Sequence, residues 1–227
     1  MPYLIIFLII LAFIDLPQLW VQSVLKKYNQ KSESNFPGTG GELARHLLDK
    51  LGLPAVNVEI TEQGDHYDPV TKTVRLTKDK FEGKTLSAIT VAAHEVGHAM
   101  QDGLDESMFR FRTTVAKFAV FAQKFGSFLL FASPFLGLIA RAPQATLITA
   151  LAAFLVMGSG LVVHLITLPV ELDASFNKAL PLLKTGYLES KQQKPAERIL
   201  KAAALTYFAG ALASLLNFWR WFQVLRR

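Results

Sequence analysis

Residues 91–101 read Val91-Ala-Ala-His94-Glu95-Val-Gly-His98-Ala-Met-Gln101. Two histidines four apart on a helix lie about 40° from one another around the axis and one turn apart along it, so both imidazoles can reach one ion. Glu95 stands between them, where its carboxylate reaches a metal-bound water without being a ligand itself. Zinc in such a place lowers the pKa of its water toward about 7, and the carboxylate takes the proton as the water attacks a carbonyl. The apolar run Ile89-Thr-Val-Ala-Ala93 before the motif is written for a buried helix. A buried helix whose histidines only satisfy hydrogen bonds is the plainer alternative.

A catalytic zinc takes three protein ligands and keeps one position open. The chain has no cysteine, which excludes disulfides, cysteine nucleophiles and thiolate zinc sites and leaves histidine and carboxylate as donors. After His98 the next histidine is His164, so the third ligand is expected from a carboxylate on a later helix. Leu168-Pro-Val-Glu171-Leu-Asp-Ala-Ser175 offers one. Pro169 marks a break, and Glu171 and Ser175 are four apart on one helical face. On spacing, Glu171 ranks first, with Asp173 behind it.

Upstream, the spacing predicts a helix from Thr85 or Ser87 to about Gln101, either residue serving as N-cap. Glu42–Leu51 has helical spacing, with His46 on its apolar face and read as core. Val56–Thr61 and Thr71–Thr77 alternate as strands, and His66–Pro69 reads as a turn, so a small sheet or hairpin precedes the motif helix.

Half of the 227 residues are hydrophobic (51%) and only 19% are charged, in an uneven distribution that suits long apolar segments separated by charged loops. The net charge of +6 follows those segments instead of forming a basic arm interleaved with aromatics, so no nucleic-acid partner is expected. Residues 3–14 are continuously apolar but lack a basic leader and a small-residue cleavage site, and read as a retained anchor and not as a secretory signal. Phe125–Ala140, Ala145–Leu168 and Ala202–Phe222 are further apolar segments. The expected fold is therefore a mainly α membrane protein: a zincin-like catalytic helix, a small β-sheet or hairpin, and about four transmembrane or membrane-embedded helices. Its divisions are an N-terminal anchor (1–25), a zinc-peptidase part (26–112), a membrane helical hairpin (113–169), a third-ligand segment (170–201) and a C-terminal membrane helix (202–227). Two crossings between His98 and Glu171 would return the chain to one side of the bilayer. Lys26, Lys27, Arg110, Arg112 and Lys178 would then place the site on the cytoplasmic side of a multi-pass inner-membrane protein, although Arg220, Arg226 and Arg227 pull the other way.

The string His94-Glu-Val-Gly-His-Ala-Met-Gln101 resembles the YugP-type neutral zinc metallopeptidases of bacterial membranes. So do Gly38-Thr-Gly-Gly-Glu-Leu-Ala-Arg45, Asp65-His-Tyr-Asp-Pro69, Thr73-Val-Arg-Leu-Thr77 and Leu168–Ser175, in order along nearly the whole chain. That family is similar in turn to the HtpX-type and CaaX-prenyl membrane proteases, whose third ligand opens a Glu-x-x-Ala-Asp motif. The resemblance implies that Glu171 is the third ligand. Those broader relatives carry Asp where this chain has Ser175, so the group orienting a ligand histidine is different here, with Asp173 or Ser175 itself as candidates.

The resulting expectation is a membrane-embedded endopeptidase with one Zn2+ ion on His94, His98 and Glu171 and with Glu95 activating the water. Its partners are a protein or peptide substrate and the lipid bilayer, and the sequence does not fix an oligomeric state. His164, seven residues before Glu171, and His66 with Tyr67, beside the strand, are candidate oxyanion or substrate contacts. A neutral hydrogen-bonded histidine and simple turn chemistry are their plainer readings. A catalytically silent, zinc-stabilised scaffold or chaperone is the rival function, and it has no need of Glu95.

Overall fold

The computed structural model describes residues 16–17, 19–29, 36–141, 144, 147–149, 151–152 and 159–225. The apolar run at 3–14 and most of 145–158 lie outside them. Along the chain come α1 (Gly40–Lys50), β1 (Asn57–Thr61), β2 (His66–Asp68), β3 (Thr73–Thr77), α2 (Lys78–Phe81) and α3 (Leu86–Gly103). They are followed by α4 (Ser107–Ala140), α5 (Ser159–Leu172), a π-helical stretch (Asp173–Ala179), α6 (Leu180–Lys184) and α7 (Ser190–Leu225). Contacts divide the chain into two units: one gathers the described parts of Phe111–Thr167 and Tyr207–Arg227, the other Leu16–Arg110 and Leu168–Thr206.

The second unit holds the motif helix. Its first helix, α1, opens on a reciprocal cap: Thr39 Oγ1 accepts from the Glu42 N–H at 3.2 Å, and the Glu42 carboxylate accepts from the Thr39 N–H at 2.8 Å. Gly40 is required here, since a Cβ would stand 2.3 Å from the Lys80 carbonyl oxygen and 2.9 Å from that of Ala88. Leu43, Ala44, Leu47 and Leu48 bury the inner face of α1. His46, read as core, is instead exposed, and its Nε2 lies 2.8 Å from the Tyr187 hydroxyl.

The sheet has the order β1-β3-β2, with β1 parallel and β2 antiparallel to β3. The segment read as a turn at 66–69 is thus largely a strand, and the two predicted strands do not form a hairpin. Its three residues are too few to show alternation. Side chains set it in place: Asp65 Oδ1 accepts from both the N–H and the hydroxyl of Thr77, at 2.6 and 2.9 Å. Asp68 then closes the turn by accepting from the Val70 N–H at 2.8 Å, and it pairs with Arg75 at 2.7 Å.

Helix α3 starts where the sequence places it. Thr85 is the N-cap, its hydroxyl accepting from the Ala88 N–H at 3.2 Å. Nearly every residue of α3 is buried, between α1 on one side and the π-helical stretch on another. Gly97 permits the second contact: a Cβ there would lie 2.7 Å from the Ala174 carbonyl oxygen.

The expected membrane architecture is corrected by the helices themselves. Among the described residues, no helix is long and apolar enough to cross a membrane. The apolar end of α4, Phe125–Ala140, falls short of the ~20 residues a span needs, and Lys117 and Lys124 precede it. Helix α5 has 14 residues, also short of that length. Helix α7 has the length, but its first half carries Lys191, Lys194, Glu197, Arg198 and Lys201, and Asn217 and Arg220 interrupt its second half. The mainly helical character and the small sheet stand. The expectation of about four membrane helices, and with it that of a multi-pass inner-membrane protein with a cytoplasmic site, does not.

Gly97→Ala should force apart α3 and the π-helical stretch, costing about 1–3 kcal/mol of stability. Thermal unfolding followed by circular dichroism checks this, and an unchanged melting temperature would show that the close approach carries no constraint.

Candidate metal centre

His94 and His98 project from one stripe of α3, and Glu171 reaches them from the C-terminal end of α5. All three are buried, Glu171 to 1% exposure. Glu171 Oε2 lies 3.1 Å from His94 Nε2 and 3.2 Å from His98 Nε2. One donor atom from each of the three lies within 4.8 Å of the others, and among the described residues this is the His/Asp/Glu group close enough to share an ion.

The outer nitrogen of each imidazole is already committed. Ser175 Oγ lies 3.1 Å from His94 Nδ1 and 3.3 Å from the Leu200 carbonyl, and with its proton on that carbonyl it accepts from the ring. Gln101 Nε2 faces two acceptors, the Val170 carbonyl at 2.9 Å and Asp173 Oδ2 at 2.8 Å, which turns Oε1 toward His98 Nδ1 at 2.9 Å. With the proton on Nδ1, each ring presents Nε2 as an open donor beside Glu171. Two nitrogen lone pairs facing one carboxylate oxygen in a buried pocket repel unless positive charge lies among them. Burial raises the Glu171 pKa, and the charge and hydrogen-bond contacts that the His98 and His94 rings make when protonated outweigh it and hold this carboxyl well below the usual carboxylate range; a cation beside neutral rings would act in the same direction.

A metal cation meets this requirement. Zinc bonds of about 2.1 Å in tetrahedral array put neighbouring donors roughly 3.4 Å apart, close to the two N···O separations. Two imidazoles and one carboxylate with no thiolate form a donor set of the kind catalytic zinc takes. Glu95, 6% exposed, adjoins His94 on the same helix. Phe109 closes the His98 side, its ring centroid 6.1 Å from that of the imidazole.

The other candidates sit elsewhere. His66, in β2, has its Nδ1 2.8 Å from the Gly64 carbonyl oxygen. Tyr67 donates its hydroxyl to Asp102 at 2.5 Å, and Lys72 reaches the same carboxylate. Burial first, and the Asp102 hydrogen bond after it, push the Tyr67 pKa far up. His164 belongs to the other unit, where its ring centroid lies 6.1 Å from that of Tyr207 and burial pushes its pKa down. Of the two orienting candidates, Ser175 touches His94 directly, while Asp173 reaches His98 only through Gln101. Gln101 was absent from the sequence reading. Its signal was present as a polar residue three places after His98 on a buried helix, on the same face.

The family model described as "Putative neutral zinc metallopeptidase" matches residues 3–226. A Bacillus subtilis (strain 168) protein described as "Putative membrane protease YugP" is 34% identical over 209 residues, covering 91% of this chain and 89% of the relative. No solved structure matches. The resemblance read from the separate motifs thus holds along the chain.

Ser175→Ala removes the acceptor at His94 Nδ1 and should weaken zinc binding about 10-fold, measured by competition with a chelator of known affinity. Wild-type affinity would contradict the orienting contact.

Proposed function

The chain belongs to the family described as "Putative neutral zinc metallopeptidase", and from that premise we propose that it hydrolyses peptide bonds at one zinc ion held by His94, His98 and Glu171. The observation supporting this reading most strongly is the hydrogen-bond arrangement. Each imidazole commits its Nδ1 to a fixed acceptor, and both Nε2 atoms turn to one buried carboxylate oxygen.

Zinc bound there supplies a water of pKa near about 7 and polarises a carbonyl. The protein's own groups do the rest. His94 and His98 offer Nε2 to the ion, with Ser175 and Gln101 as the partners of their Nδ1 atoms. Glu171 brings one negative charge to a buried position, which offsets part of the charge of the ion. Glu95 takes the proton of the attacking water on its carboxylate and delivers it to the nitrogen of the departing amine. The closely packed surroundings of His98, with Phe109 against its ring, limit bulk water and strengthen each electrostatic contact. The substrate is a protein or peptide, as a peptidase family implies.

Three variants separate the roles. Glu95→Gln should keep one zinc per chain and lose about 10²–10⁴-fold in hydrolysis of a quenched fluorescent peptide library. His98→Ala and Glu171→Ala should lose the metal, read by elemental analysis of the purified protein. Full activity in Glu95→Gln would favour another base, and absence of hydrolysis in the zinc-loaded wild type would favour a zinc-stabilised scaffold. Equal zinc in all forms would remove the proposed site.

A further inference from the structure

We propose that Gln101 is a positioning residue, which sets the proton of His98 and ties the His-bearing helix to the Glu-bearing one, with Asp173 acting through it. This rests on the reading of His98 and Glu171 as zinc ligands. Gln101 is 1% exposed and all of its polar atoms are engaged. Its Oε1 accepts from His98 Nδ1 at 2.9 Å, and its Nε2 donates to the Val170 carbonyl at 2.9 Å and to Asp173 Oδ2 at 2.8 Å.

The direction of the amide is fixed by chemistry. Val170 and Asp173 offer only acceptors, so the NH2 group must face them and the carbonyl must face His98. A reversed amide would set Oε1 against a carboxylate and a carbonyl, and would lose both hydrogen bonds to Val170 and Asp173. With the amide fixed, His98 is protonated at Nδ1 and Nε2 is left as the donor to metal.

Val170 immediately precedes Glu171, so the same side chain grips the backbone that carries the third ligand. One glutamine thus governs the tautomer of one ligand and the position of another. Asp173 is in turn held from outside. Its Oδ1 accepts from Asn177 Nδ2 at 2.8 Å, and Lys178 Nζ lies 3.0 Å from its Oδ2 and 2.7 Å from Glu106. The chain of contacts runs from the partly exposed Lys178 pair inward to the imidazole without a break. The carboxylate that orients this histidine therefore acts at one remove, where Ser175 contacts the other histidine directly.

The test is a double-mutant cycle on the full chain, with zinc affinity from chelator competition for wild type, Gln101→Met, Asp173→Ala and the double variant. Methionine keeps the length and apolar volume of the side chain but makes none of the three hydrogen bonds. Gln101→Met should weaken zinc binding about 10–100-fold and Asp173→Ala about 10-fold. Asp173→Ala should add nothing further in the Gln101→Met background, an outcome that a purely structural role does not produce. The visible absorption of the cobalt-substituted protein should also change in Gln101→Met. Wild-type affinity in Gln101→Met, or an equal cost of Asp173→Ala in both backgrounds, overturns the proposal. Should Gln101→Met fail to fold, Asp173→Ala decides alone, and wild-type affinity there overturns it. His98→Ala is the control: retention of zinc in it would sink the ligand assignment itself, whereas loss of zinc there with undiminished affinity in Gln101→Met would sink only the role of Gln101.

Discussion

Two imidazole nitrogens aimed at one buried carboxylate oxygen are the constraint around which this unit is arranged. Taking an ionised carboxylate out of water is expensive, and the cost is recovered only where opposite charge and hydrogen bonds replace the solvent. Glu171, at 1% exposure, has His94 and His98 as those partners. Neutral rings that turn their Nε2 lone pairs toward this oxygen would need a cation among them. Held in place by the fold, the three side chains form a group that could hold a metal ion.

The surrounding structure serves that geometry by fixing two helices against each other. Thr85 starts α3 at a defined residue, so the register of His94 and His98 is set from the N-cap onward. Gly97, on the same helix, lets the backbone at Ala174 come close enough for Glu171 and Ser175 to face the histidines. The π-helical stretch begins two residues beyond Glu171, and such stretches frequently occur at functional sites. The sheet contributes at a distance, Asp65 and Asp68 pinning β2 and its turn to β3.

Much of the site was legible in the sequence because its parts are local. A histidine pair four apart on an apolar helix defines a shared ligand face through helical geometry alone, and α3 begins at one of the two predicted caps. Glu171 follows from elimination of the other donors, from its spacing after Pro169 and from the resemblance. For Gln101 the local pattern shows only a polar residue three places after His98, while its contacts to Val170 and Asp173, 69 and 72 residues away, are not encoded locally. Strand β2 was missed because its pairing with β3 depends on Asp65 and Thr77 meeting across a turn. Hydrophobic composition alone points to membrane helices, yet it does not fix the continuous length a span needs. Lys117 and Lys124 precede a short apolar end of α4, and in α7 a charged first half is followed by a second half broken at Asn217 and Arg220.

X-ray absorption at the zinc edge of the purified, zinc-loaded protein bears most directly on the central claim. The account predicts two imidazole nitrogens and one carboxylate oxygen among the zinc neighbours at about 2.0–2.2 Å, with a further light atom completing a four-coordinate shell. A shell of oxygen alone, or with a single imidazole, would contradict it.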